Sequence, residues 1–487
     1  MLLFRRLLFC ILVLVPISCD TFKPYADKIT AAIYQNQLER IKQQGFLTVL
    51  TRFDTTTYYK SPDGFKGLEY ELVSLFAEHL GVKAHFKIPK HFSQILEQIV
   101  AGKADIAAAS LTITTHRQQQ MRFAPSYQEI TEQVIYRYGK RRPKNAEQLT
   151  SGILEVVAST SHVDTLLKLQ HQQPDLAWNT NDQLDTDGLL YLVNEKLIDF
   201  TIVDSNQFVL MNRFYPNLNV AFDISETRQL AWALPKSNDN SLYDEVVLFF
   251  NKIKKNKVLA QLLDRHYEHA DNLDYVGKKT FHEHYKNRLP TYQKFFQQAG
   301  EKYNIDWRLL AAMGYQESHW LASATSPTGV QGIMMLTKGT AQDLGIKNRV
   351  DPVQSIHGGA LYFLQRKNKI PKRILEPDRT WMALASYNVG YGHLEDARII
   401  TQDQGASPDK WLEVKTRLPL LTQKKWHKKT KHGYARGHEP VSYVENIRNY
   451  YDLMLWMTEE NQTEKSVMAV KEPEPVQTSL TVINSAI

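Results

Sequence analysis

Between residues 45 and 267, short aliphatic and β-branched runs alternate with segments whose apolar positions recur at helical spacing. Leu47–Leu50 reads as a strand. Tyr70–Gly81 puts Leu72, Val73, Leu75, Phe76 and Leu80 on one face and ends at a glycine, the residue best suited to the backbone that stops a helix. Phe92–Gly102 repeats the pattern with Ile95, Leu96 and Ile99, while Asp105–Ala109 and Phe200–Val203 read as buried strands. This alternation predicts an α/β sheet with helices on both faces. Leu242–His266 is expected as one long helix with a basic outer face.

A short polar stretch, His269–Gly277, marks a joint, and a linker is placed at 268–284. From 285 to 460 the pattern becomes helix after helix. Asp306, Asp351 before Pro352, Thr380, and the box Ser442-Tyr-Val-Glu445 are expected to start helices, because their side chains can take up free backbone N–H groups. Residues 461–487, rich in Glu, Lys, Pro, Gln, Ser and Thr, are expected to be a disordered tail.

The 487 residues allow two to four domains. Both cysteines, Cys10 and Cys19, lie near the N-terminus, so the body can hold neither a disulfide framework nor a thiolate zinc site. Arg5-Arg6, the apolar run Leu7–Ser18 and small residues have the layout of a signal peptide over 1–18, too short to span a bilayer. Val15-Pro-Ile-Ser-Cys19 resembles a bacterial lipoprotein cleavage site. It implies lipid on Cys19, although Pro16 stands where that pattern prefers an aliphatic residue; an ordinary cleaved signal stays open. Either reading exports the chain to the periplasm, peripherally bound to a membrane, the outer one if lipidated. The net charge of +7 suits acidic partners. Nucleic acid is not expected, since export removes the opportunity.

No His-Glu-x-x-His, phosphate loop, Gly-x-Ser-x-Gly or Rossmann fingerprint occurs, and His282-Glu283-His284 reads as a solvated face, so neither metal nor cofactor is expected. One carboxylate stands out. Glu317 follows Leu310 by seven positions, on the stripe that also carries Met313 and Gly314. A carboxylate on an apolar face ionises at a cost, so its pKa is expected to rise, as a general acid requires. A solvated residue or cap partner is the alternative. The following loop, Thr325–Leu336, holds Gly329 and Gly332, which would let backbone approach a ligand. Farther on, Gln423–Arg436 carries six basic residues and no acid; it reads as a solvated loop or as a surface for stem-peptide carboxylates or lipid phosphates.

Gln316-Glu-Ser318, Gly332-Ile-Met-Met335, Ser386-Tyr-Asn388 with Gly390, and Tyr443-Val444 with Ile447 follow one another in this order. Together they resemble the lysozyme-like domain of the family 1 lytic transglycosylases over residues 285–460. Met335 stands where Gln is usual and Ser386 where Ala is usual, as in one two-part branch of that family. The resemblance implies cleavage of the MurNAc-β-1,4-GlcNAc bond of peptidoglycan without water, giving a 1,6-anhydro product. Glu317 is then the one acid and base, with Ser318, Met335, Tyr387, Asn388 and Tyr443 orienting it or lining the groove. For Ser318 helix capping, and for Tyr387 and Asn388 packing and turn formation, remain alternatives. A hydrolytic muramidase stays open too, because a second carboxylate could face Glu317.

Gly67-Leu-Glu-Tyr-Glu-Leu72, Ala104-Asp-Ile-Ala107, and Leu111–Arg117 followed by Phe123-Ala-Pro-Ser-Tyr127 resemble the amino-acid-type periplasmic solute-binding proteins over residues 45–267. That resemblance implies two α/β lobes and a ligand bound by Arg117, Thr112, Thr160 and Asp204, with Arg117 on its carboxylate and Asp204 on its ammonium. The expected fold is therefore a two-lobed α/β binding domain followed by a mainly α lysozyme-like domain. Its partners are peptidoglycan strands and a muropeptide or amino-acid-like ligand that modulates cleavage. A non-catalytic glycan-binding or solute-binding protein, including a transport receptor, is the other class; Glu317 and the large second domain argue against it.

Overall fold

The computed structural model describes residues 36–61, 64–268 and 275–471. The signal segment, the lipidation position Cys19 and residues 472–487 lie outside them. The chain forms two compact units: one runs up to Gln128 and takes Gln229–Asn256, while the other holds Glu129–Arg228 and everything from Lys257 on.

The first unit is built on a five-stranded sheet in the order Lys83–Lys87, Phe46–Leu50, Ile106–Ala107, Ala233–Pro235, Met121–Phe123. The first three strands are parallel, with Val49 opposite Ile106; Ala233–Pro235 pairs antiparallel on both sides. Leu47, Val49, Leu50, Ile106 and Ala107 are fully buried, as strands covered on both faces require. Helices Leu68–Leu80 and Phe92–Val100 appear where periodicity placed them, and Gly81 stops the former at φ 73°.

In the second unit, Phe200–Asp204 and Leu218–Asp223 flank Glu132–Arg137 in an antiparallel sheet that carries Ser161–Gln170 and Thr186–Asn194 as helices. The helical domain follows, with a core that includes Leu310, Met313, Trp320, Phe363, Leu384, Val444 and Ile447. Asp306 and Asp351 cap their helices by accepting from the Arg308 and Gln354 N–H groups. Within this unit the helical domain is joined to the antiparallel lobe. Arg213 pairs with Asp452 at 2.6 Å, Phe214 stacks on Trp456 at 4.6 Å, and His282 Nε2 lies 3.3 Å from the Arg213 carbonyl.

Several expectations are corrected. The long helix over 242–266 is broken: Ser241–Lys255 ends at Asn256, Lys257 turns left-handed at φ 61°, and Val258–Leu263 starts again. The linker over 268–284 is in large part the helix Tyr275–Asn287, whose His282 and His284 pack against Arg213 and Tyr315 instead of facing solvent. Thr380 and Ser442 lie inside helices that begin at Asp378 and His438. The last helix runs to Lys471, through the start expected for the tail at 461.

Candidate active site

The helix Trp307–Ser318 carries Glu317 in its last turn, with Leu310, Met313 and Gly314 buried on the stripe below. Gly314 lets the helix press onto the core, since a Cβ there would lie 2.8 Å from the Phe296 ring. The Glu317 side chain is half-buried. Burial pushes its carboxyl up from 4.5 to about 7, against the opposing pull of one hydrogen bond: the Tyr443 hydroxyl donates to Oε1 at 2.6 Å. Oε2 has no donor among the described residues. A carboxyl near neutrality, with one oxygen held and the other open, can release and retrieve a proton at the same pH.

Tyr443 stands on the helix His438–Lys471, and its ring stacks on Tyr387 at 6.3 Å with an interplanar angle of 13°. Tyr387, on Asp378–Val389, donates to the Met334 carbonyl at 3.0 Å and meets Tyr362 edge-on at 5.0 Å. Burial, then the nearby Glu317 charge, raises both hydroxyls well above the phenol range, so both stay protonated and able to donate. Asn388 is exposed one residue beyond, and Met335 is half-buried with φ 45° in the loop after Gly332.

The structure thus gathers Glu317, Tyr387 and Tyr443, with Met335 next to the Met334 carbonyl. Ser318 does something else. Its hydroxyl lies 3.1 Å from the Gly314 carbonyl and 2.9 Å from that of Ile333, and accepts from the Leu321 N–H, which ties helix end to loop. Gly332, expected to admit a ligand, admits the chain itself: at φ 87°, a Cβ there would meet the Arg349 carbonyl at 1.8 Å. Tyr362 was not singled out in the sequence; it sits in an ordinary amphipathic helix, Pro352–Lys369, with no local signal.

The four residues expected to bind a ligand fall two in each unit. In the first, Arg117 is buried, donates to the Thr112 carbonyl at 3.1 Å and lies 5.7 Å from the Phe92 ring. In the second, Thr160 caps Ser161–Gln170 and its hydroxyl donates to the Val157 carbonyl. Asp204 ends its strand, fully enclosed, 3.0 Å from His162 Nε2. The ligand atoms of Glu132, His162 and Asp204 all lie within 4.8 Å of one another, a grouping of residues far apart in sequence.

Residues 294–410 match the Transglycosylase SLT domain family, and residues 47–269 match the family of bacterial extracellular solute-binding proteins, family 3. The membrane-bound lytic murein transglycosylase F of Pseudomonas syringae is 47% identical over 423 residues, 87% of this chain and 85% of that protein. Transglycosylase F 1 of Alkalilimnicola ehrlichii is 46% identical, with 87% and 86% covered. A solved cysteine-binding protein from Campylobacter jejuni aligns with a TM-score of 0.45 and 19% identity, covering 50% of this chain and 98% of that one.

Proposed function

Since the chain belongs to the family of membrane-bound lytic murein transglycosylase F, we propose that Glu317 alone serves as acid and base in its glycan cleavage. The protein is a peptidoglycan lytic transglycosylase carrying a solute-binding domain. In the proposed reaction, protonated Glu317 gives its proton to the oxygen linking MurNAc to GlcNAc as that bond breaks. The C6 hydroxyl of the same MurNAc attacks the anomeric carbon, and the Glu317 carboxylate takes the hydroxyl proton. The product is a 1,6-anhydro ring, no water is consumed, and the acid is restored. Tyr443 holds Oε1 throughout, while Tyr387, Met335 and Asn388 line the bound sugar and Ser318 positions the loop.

The carrying observation is the Glu317 carboxyl itself, raised by burial to about 7, with one oxygen held by the Tyr443 hydroxyl and the other without a donor among the described residues. Hydrolysis by two carboxylates would need a second one across the bound sugar. Mass spectrometry of digested sacculi tests the reading: anhydro products are expected, and products heavier by one water would replace this route with hydrolysis.

The binding domain is read as a sensor. A muropeptide or amino-acid-like ligand would be bound by Arg117, Thr112, Thr160 and Asp204, and would alter cleavage by favouring one arrangement of the chain. Muropeptide titration of wild type and Arg117→Ala is the test; equal activation of both would end this reading. For location, the reading is an exported, peripherally attached protein held at the outer membrane through Cys19. Among the described residues no helix is long and apolar enough to cross a membrane.

A further inference from the structure

The segment Gln423–Arg436 carries Lys424, Lys425, Lys428, Lys429, Lys431 and Arg436 with no acidic residue, and all six are exposed. Three other lysines of the same unit are matched: Lys257 to Glu413 at 2.7 Å, Lys367 to Glu376 at 2.9 Å, and Lys415 to both Asp264 and Glu268. In the segment, Arg436 pairs with Glu439 at 3.2 Å and Lys425 lies 5.6 Å from the Trp426 ring. The side chains of Lys424, Lys428, Lys429 and Lys431 have neither a hydrogen bond nor an ion pair among the described residues. Five like charges on so short a stretch repel one another, a cost that salt screens in part and that an anionic ligand would relieve.

The backbone beneath them is fastened to the elements of the active site. The His432 N–H donates to Asp396 Oδ2 at 2.9 Å, and the His432 ring lies so close to Gly392 that a Cβ there would be 2.6 Å away. Gly392 and Asp396 belong to the helix Tyr391–Asp403, which begins three residues after Asn388. At its other end the segment leads into His438–Lys471, the helix that brings Tyr443 to Glu317. The cationic loop is thereby anchored between the helix that follows the Tyr387-bearing one and the helix that bears Tyr443.

We infer that this loop is a substrate subsite whose lysines receive the free carboxylates of the peptide stems projecting from the glycan strand, so that stem-bearing glycan binds more tightly than bare glycan. The inference rests on the proposed cleavage at Glu317, because only a strand lying along that groove would bring its stems past the loop. Anionic phospholipid is the competing occupant. The anchoring beside Tyr387 and Tyr443 favours the stems.

The test uses the full chain, a variant with glutamine at the five lysine positions, and a second with arginine there. Substrates are intact sacculi and glycan strands stripped of stems by an amidase, each at low salt and at about 0.3 M salt. On intact sacculi at low salt, the glutamine variant is expected to need about tenfold more substrate for half-maximal rate, and the arginine variant to match wild type. High salt should erase the difference, and stripped strands should show none. Equal half-saturation of wild type and glutamine variant on intact sacculi would overturn the subsite. So would an equal loss on stripped strands, or a loss confined to binding of phosphatidylglycerol vesicles, which would assign the loop to a membrane. Failure of the Glu317 reading looks different: wild type would then yield no anhydro product from either substrate.

Discussion

Two glutamates, the buried Glu69 in one unit and the half-buried Glu317 in the other, show what would separate a structural carboxyl from a reactive one. Burial raises the carboxyls of both Glu69 and Glu317. Glu69 is saturated: Oε1 accepts from the Ser110 N–H at 3.0 Å and the Tyr127 hydroxyl at 2.6 Å, and Oε2 from the Trp232 indole at 2.5 Å. It ties three separate segments together, and both of its oxygens are already held by donors. Glu317 has one donor and one open oxygen. Desolvation alone therefore does not make an acid catalyst; desolvation with unfilled coordination does.

The contrast can be broken by mutation. Glu317→Gln should lower anhydro-product release by roughly 10²–10⁴-fold with the fold intact, while near-normal turnover would remove Glu317 from the chemistry. Glu69→Ala should instead strand three buried donors and cost roughly 3 kcal/mol or more in denaturant unfolding; a change below about 1 kcal/mol would show that the three bonds add little.

A pH series sharpens the difference. The folded pKa of Glu317, about 7, lies above its ordinary 4.5, so its contribution to stability is full below 4.5 and is lost as pH rises towards 7. Glu317→Gln does not titrate. Its stability relative to wild type should rise across that window and level off at roughly 3 kcal/mol, and a pH-independent difference would contradict the raised pKa. The smallest effect is expected from Tyr443→Phe. The phenol hydrogen bond lowers the Glu317 pKa, so removing it should move the alkaline limb of the rate profile to higher pH. The maximal rate should fall about tenfold with the lost positioning, roughly 1.4 kcal/mol. An acidward shift would reverse the role given to Tyr443.

What could be read from sequence was mostly local. Asp306 and Asp351 act within three residues, so their caps were legible. Ser442–Glu445 has the same spacing but lies inside a helix, where positions three apart are neighbours anyway. Glu317 was legible because an acid on an apolar stripe needs a reason. Glu69 was not: it sits in a first helical turn, where acids are ordinary, and its three partners lie 41 to 163 residues away. The grouping of Glu132, His162 and Asp204, and the edge of Tyr362 against Tyr387, likewise exist only once the chain is folded.

The helix His438–Lys471 sets Tyr443 on Glu317 near its start and Asp452 and Trp456 on Arg213 and Phe214 farther along, with Arg448, Tyr450 and Tyr451 held by Asp264, Phe281 and Asp306 between them. The nine helical steps from Tyr443 to Asp452 span roughly 14 Å and resist compression. A displacement of the Arg213 corner that carried those intervening contacts with it would move the phenol, and a hydrogen bond of 2.6 Å weakens sharply over about one further ångström. With the phenol withdrawn, the carboxyl would hold its proton more tightly, so the acidity of a single side chain becomes a gauge of mechanical load on the neighbouring lobe.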